Sequence, residues 1–162
     1  MRTPYASSPG GPVAEAGRRT RADLADAVLA ANAGFYTAIE TADMDLMESL
    51  WLPGDETVCV HPGSEPLRGT PSILRSWTVV MANLPYVQFF LTDVAVSVRG
   101  DVATVYCSEN VLSAPDGTAV ESFAGGRAVA TNVFVRTASG AGAVWRMWAH
   151  HASPVLDAGA GS

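Results

Sequence analysis

The sequence predicts an α+β domain, three helices toward the N-terminus and a curved antiparallel sheet after them, in the order α-α-β-α-β-β-β-β. Three observations predict it. Apolar residues recur with a helical period as far as Met81 and with a period of two after Pro85. The length, 162 residues, suits one domain with a sizeable core. The composition, 48% hydrophobic and 16% charged, is that of a globular chain and excludes a mostly disordered one.

The elements follow in order. Residues 1–20 are rich in Gly, Pro and Ala and carry no apolar signal core, so they read as a flexible extension. From Ala22 to Thr41, Leu24, Val28, Ala31, Phe35, Ala38 and Ile39 form the apolar stripe of a long amphipathic helix. Asp43 suits the cap of a short second helix ending at Trp51, with Leu46, Met47 and Leu50 inward, and Pro53-Gly54 stops it. Thr57 to His61 reads as a short strand. Thr70-Pro71 opens a third helix, because proline is tolerated in a first turn. Ile73, Leu74, Trp77, Val80 and Met81 give that helix its inner face.

Four long strands complete the pattern: Val87 to Arg99, Val102 to Ser113, Glu121 to Arg136 and Val144 to Ser153. Their turns fall at Arg99-Gly100-Asp101, Ala114-Pro115-Asp116-Gly117 and Ser139 to Gly142. Residues 21–155 are thus expected to form one domain, with 156–162 a flexible tail.

Bulk charge excludes several roles. The net charge is −6 and no basic run occurs, so nothing offers a footprint for nucleic acid or an anionic membrane. No apolar run approaches the roughly 20 residues of a membrane helix. Cys59 and Cys107 are far apart and outside any metal-site spacing. They read as buried free thiols of a cytoplasmic protein. No metal site is expected, since three histidines and scattered carboxylates show no ligand spacing.

The sheet predicts two faces of different character. Ala124, Gly126, Ala128 and Ala130 share one parity and leave room for a cavity or for close helix approach. Val129, Val133 and Val135 occupy the other parity and suggest a homodimer through the convex face.

The stretch from Trp51 to Gly69, with Val60-His61-Pro62-Gly63-Ser64-Glu65-Pro66 inside it, resembles the nuclear transport factor 2-like superfamily. Ala130 to Arg136 and Trp145 to Ser153 resemble its SnoaL-like branch. The resemblance covers about residues 22 to 155. It implies a cone-shaped sheet wrapped on a long helix, a pocket at the wide end and frequent dimers. It does not fix a chemistry, since related folds serve isomerases, dehydratases, polyketide cyclases and assembly modules. Set beside ketosteroid isomerase, His61 stands at the general-base Asp, Phe35 at the oxyanion-hole Tyr and Asn132 at its protonated Asp partner. One hydroxyl donor is then lost, which argues against a ketosteroid isomerase proper.

The candidate catalytic residues are accordingly His61, a group that exchanges protons near neutral pH, and Asn132, an amide among apolar neighbours. Phe35, Trp77, Met81, Tyr106, Ser108, Trp148 and His150 are the expected pocket residues, with Tyr106 and Ser108 placed inward by the resemblance. It also sets Trp148, His150 and Ala152 inward, leaving His151, Trp145 and Met147 on the convex side. Glu109 falls on the opposite parity to Tyr106 and is not assigned to the pocket. The expected function is binding of a small hydrophobic molecule, with cofactor-independent isomerisation, dehydration or cyclisation of a carbonyl compound as the chemistry. The alternative is a non-catalytic dimeric binding or assembly module with a vestigial pocket.

Overall fold

The structure is a computed structural model, described here for residues 19–114, 124–140 and 142–156. Three helices and six strands follow one another as α1 (Arg21–Glu40), α2 (Met44–Leu50), β1 (Val58–Val60), β2 (Leu67–Arg68), α3 (Thr70–Asn83), β3 (Tyr86–Arg99), β4 (Val102–Ala114), β5 (Ala124–Ser139) and β6 (Gly142–Pro154). The expected order holds, with the two-residue strand β2 added between β1 and α3. The turn at 115–117 and the start of the third long strand at 121–123 lie outside the described residues.

Local chemistry sets the helix starts. Thr20 and Asp23 form a reciprocal capping box on α1, with Asp23 N donating to Thr20 Oγ1 at 3.1 Å and Thr20 N to Asp23 Oδ2 at 2.8 Å. Asp43 caps α2 through Leu46 N at 2.9 Å. Gly69 precedes α3 at φ 80°, a conformation that costs a residue with a Cβ, and Pro71 occupies the first turn.

The sheet runs β2-β1-β6-β5-β4-β3, curved and unclosed. The long strands β3 to β6 form an antiparallel meander, while β1 joins β6 in parallel, Cys59 opposite His150. The helices cover one face. Val28, Phe35, Ile39, Met47, Trp51, Ile73, Val105, Phe134 and Met147 are buried between the layers. No helix among the described residues is long and apolar enough to cross a membrane.

Two irregularities control which side chains face the helices. Between β5 and β6 the register passes from Val133 opposite Ala149 to Phe134 opposite Met147, so Trp148 is an extra residue. This bulge reverses the strand parity. Trp145 and Met147 therefore lie inward on one side of it, 6% and 0% exposed, and His150 and Ala152 inward on the other. The convex placement expected for Trp145 and Met147 is corrected by that single residue. A second irregularity lies in β3 between Thr92 and Ala95, where Asp93 has φ 53°.

Candidate functional site

The concave face encloses a cavity of about 400 Å³. Its walls are mostly apolar: Phe35 and Ile39 from α1, Trp77 and Val80 from α3, Val87 and Phe89 from β3. Tyr36, His61, Glu109 and His150 also line it, with Arg127 from β5. Such a mixture, apolar walls with a few convergent polar groups, is the usual make-up of a small-molecule site.

The polar groups are linked. Tyr36 Oη donates to Glu109 Oε1 at 2.7 Å. Asn132 Nδ2 donates to Asn32 Oδ1 at 2.8 Å and to Tyr36 Oη at 3.3 Å. His150 Nδ1 lies 2.6 Å from Asn132 Oδ1. Since the amide nitrogen of Asn132 is committed to two acceptors, its oxygen accepts from His150 Nδ1–H, which leaves Nε2 as the acceptor of the ring. Asn32, Tyr36, Glu109, Asn132 and His150 are each no more than 4% exposed. One chain of hydrogen bonds thus joins α1, β4, β5 and β6 behind the cavity.

Burial sets the protonation of these groups. It lowers the basicity of His150 to a pKa of about 3, with the neighbouring His61 and His151 adding to the effect. His61 is lowered by burial too, and both rings are neutral at pH 7. Glu109 is raised by burial, against the opposing hydrogen bond from Tyr36. Tyr36 is raised by burial and, when Glu109 is ionised, by its charge, and stays a phenol.

His61 follows β1, where Pro62 and Gly63 turn the chain. Its Nε2 is 2.7 Å from Ser76 Oγ on α3, and its ring meets Trp77 edge-on at 4.6 Å between centroids. Trp77 in turn lies 6.1 Å from the His150 ring.

The expected site residues divide accordingly. Phe35, His61, Trp77 and His150 line the cavity. Asn132 stands directly behind it, fully buried, and reaches it through Tyr36 and His150. Met81 is 7% exposed and belongs to the core. Met81 thus differs from its expected place in the pocket lining, and three further placements differ as well. Tyr106 is 45% exposed on the outer face, where it pairs with Ala95 and Thr131. Ser108 shares that outer parity and donates to Asp93 Oδ2 at 3.1 Å. Trp148, at the bulge, is 37% exposed and donates through Nε1 to Glu56 O at 3.2 Å. The parity of β4 is the reverse of the one expected, so Glu109 is inside.

The network members not foreseen are Asn32, Tyr36 and Glu109. Their signals were in the sequence. Asn32 and Tyr36 fall at i, i+4 on the α1 stripe with Val28, Phe35 and Ile39. Glu109 alternates with Val105, Cys107 and Val111, the more apolar parity of β4. Tyr36 also corrects the expected loss of a hydroxyl: Phe35 has none, but the next residue brings a phenol within hydrogen-bond reach of Asn132.

Among the described residues no group of three or more His, Cys, Asp or Glu side chains converges as a metal site would.

Comparison with known proteins gives a consistent picture. None of the curated proteins matches the sequence. A candidate dehydratase of the NTF2-like family from Streptomyces avermitilis is 45% identical, covering 85% of this chain and 100% of its own, with a TM-score of 0.76. A candidate calcium/calmodulin-dependent protein kinase type II association domain from Thiobacillus denitrificans is 27% identical over 79% of this chain and 94% of its own, TM-score 0.66. A nuclear transport factor 2-like superfamily protein from Salmonella enterica shares the fold at 18% identity, TM-score 0.73, over 88% of this chain and 99% of its own. The family described as SnoaL-like domain matches residues 28–157. That match spans most of the chain, and the protein therefore belongs to the SnoaL-like domain family of the nuclear transport factor 2-like superfamily.

Proposed function

We propose that the domain binds a small hydrophobic carbonyl compound in the concave cavity and carries out cofactor-independent proton transfer on it, in the isomerase, dehydratase or cyclase class. The observation that carries this reading is the meeting of an apolar cavity with the buried chain Glu109–Tyr36–Asn132–His150 and with His61, which lines the same cavity. A folded core gains little from so many buried polar atoms, each of which must be satisfied. Dehydration is favoured among the three by the 45% identical candidate dehydratase. In this reading His61, neutral and held by Ser76, takes a proton from the carbon beside the carbonyl. The Asn132 network keeps the phenol and imidazole fixed against the developing charge. The two buried free thiols, Cys59 and Cys107, support a cytoplasmic setting.

The test is calorimetric titration with aryl ketones and phenols on wild type and on His61→Ala. The reading expects saturable binding by wild type. Binding by neither protein would remove the pocket from consideration.

A second reading is favoured by the outer face, where Phe90 is 52% and Tyr106 45% exposed. There the domain would be a homodimeric binding or assembly module, as the 27% identical association domain suggests.

A further inference from the structure

We propose that Glu109 and Tyr36 form a second proton-transfer centre in the cavity that His61 also lines, and that the substrate class is a hydrophobic β-hydroxy carbonyl compound from which water is eliminated. The inference rests on the pocket reading above and adds to it the acid and the leaving group.

The position of Glu109 calls for an explanation. A carboxyl group on an apolar wall is costly unless a cation or donors satisfy it. Glu109 is 4% exposed and lines the cavity. It forms no ion pair among the described residues, where Arg136 with Asp101 is the salt bridge seen. Tyr36 Oη engages Oε1, and among the described residues Oε1 alone is hydrogen-bonded. A single donor at one oxygen leaves the other for a proton and for a ligand.

The arrangement of two groups then selects a reaction. Moving a double bond needs one group, which removes a proton and returns it. Eliminating water needs two, one at the carbon beside the carbonyl and one at the departing oxygen. His61 follows β1 and Glu109 is on β4, three strands apart in the sheet order, and both line the one cavity. Burial pushes them in opposite senses, His61 toward the neutral base and Glu109 toward the neutral acid. A neutral imidazole can take a proton and a neutral carboxyl can give one, which suits His61 to the base and Glu109 to the acid.

The step balances. An unprotonated nitrogen of His61 takes the α-proton, and the C–H electron pair forms the new carbon–carbon double bond. The bond from the β-carbon to its hydroxyl oxygen breaks. That oxygen receives the proton of Glu109 and leaves as water. The products are an α,β-unsaturated carbonyl compound and water, with imidazolium at His61 and carboxylate at Glu109. Exchange with solvent returns both to their starting forms. Tyr36 is a positioning residue: held by Asn132 Nδ2, it occupies Oε1 and keeps the proton of Glu109 on Oε2.

The test uses the β-hydroxy ketone formed by aldol addition of acetone to benzaldehyde, with release of the conjugated enone followed by ultraviolet absorbance. Wild type is expected to release enone. Glu109→Gln, which still accepts from Tyr36 but gives up no proton, is expected to lower kcat by roughly 100-fold or more with little change in KM. Glu109→Asp is expected to keep part of the rate and serves if the amide variant fails to fold. Tyr36→Phe is expected to lower kcat less than Glu109→Gln. Elimination at the wild-type rate by Glu109→Gln would overturn the inference and leave the pocket reading standing. So would wild type that binds the hydroxy ketone without releasing enone, or that shifts only the double bond of a β,γ-unsaturated ketone. Absence of binding to either ketone would take the pocket reading down with it.

Discussion

His150 Nδ1 stands 2.6 Å from Asn132 Oδ1, and the two side chains are 3% and 0% exposed, so neither can trade this hydrogen bond for one to water. The pair ties the last strand to the one before it, and through Asn132 to Asn32 and Tyr36 on α1.

Asn132→Ala is expected to be strongly destabilising. It leaves Asn32 Oδ1 and His150 Nδ1 without their partners in a dry interior and removes one contact of Tyr36 Oη. Each stranded polar group costs about 1–3 kcal/mol. The loss should appear as a lower urea midpoint. Equal midpoints for wild type and Asn132→Ala would show that the network contributes no stability.

The imidazole of His150 gives stability a definite acid dependence. Its folded pKa of about 3 lies below the ordinary 6.5, so as pH falls through that interval the unfolded chain takes up a proton that the folded chain refuses. Stability is therefore expected to fall with acid across this window and to be flat above it as far as His150 is concerned. His61 acts in the same sense. In His150→Gln, which can still donate to Asn132, the fall should be shallower. Urea unfolding at a series of pH values compares the two slopes, and parallel slopes would rule out a buried neutral His150.

Glu109 acts in the opposite sense. Its folded pKa is raised above the ordinary 4.5, so its favourable contribution is complete below that value and is lost as pH rises through the folded one. Glu109→Gln has no such loss. The stability of Glu109→Gln relative to wild type is expected to increase as pH rises above the ordinary carboxyl value of 4.5. A difference independent of pH would mean that the carboxyl is not penalised by burial.

Much of this architecture was legible from residue patterns, and the site was legible in part. The α1 stripe, the Asp43 cap, the Pro71 start of α3 and the long strands follow from local rules with no competitor. Strand faces are different, because one extra residue reverses them. Trp148 is that residue in β6, and nothing local distinguishes it from its neighbours before the pairing with Val133 and Phe134 is known. In β4 the alternation of Val105, Cys107 and Val111 did indicate the inner face. The resemblance implied the opposite face, with Tyr106 and Ser108 inward. Polar residues on an apolar stripe, Asn32, Tyr36 and Glu109, were the best pointers to the network.

The outer face yields a prediction about assembly. Phe90 and Tyr106 are on neighbouring strands and on the same exposed side of the sheet. If copies of the chain associate there, Tyr106→Arg is expected to shift a dimer to monomer in light scattering after size exclusion, without affecting ligand binding in the cavity. A wild-type protein that is monomeric at micromolar concentration would dismiss this interface.

Proton transfer by His61 is the central claim, and exchange of hydrogen at carbon reports it without requiring any later step. An aryl ketone that binds the cavity is incubated in deuterium oxide, and deuterium at the carbon beside the carbonyl is followed by nuclear magnetic resonance. Wild type is expected to exchange that position faster than buffer by roughly 100-fold or more, and His61→Ala to fall back toward buffer. Exchange by wild type no faster than buffer, or equally fast in His61→Ala, would contradict the account.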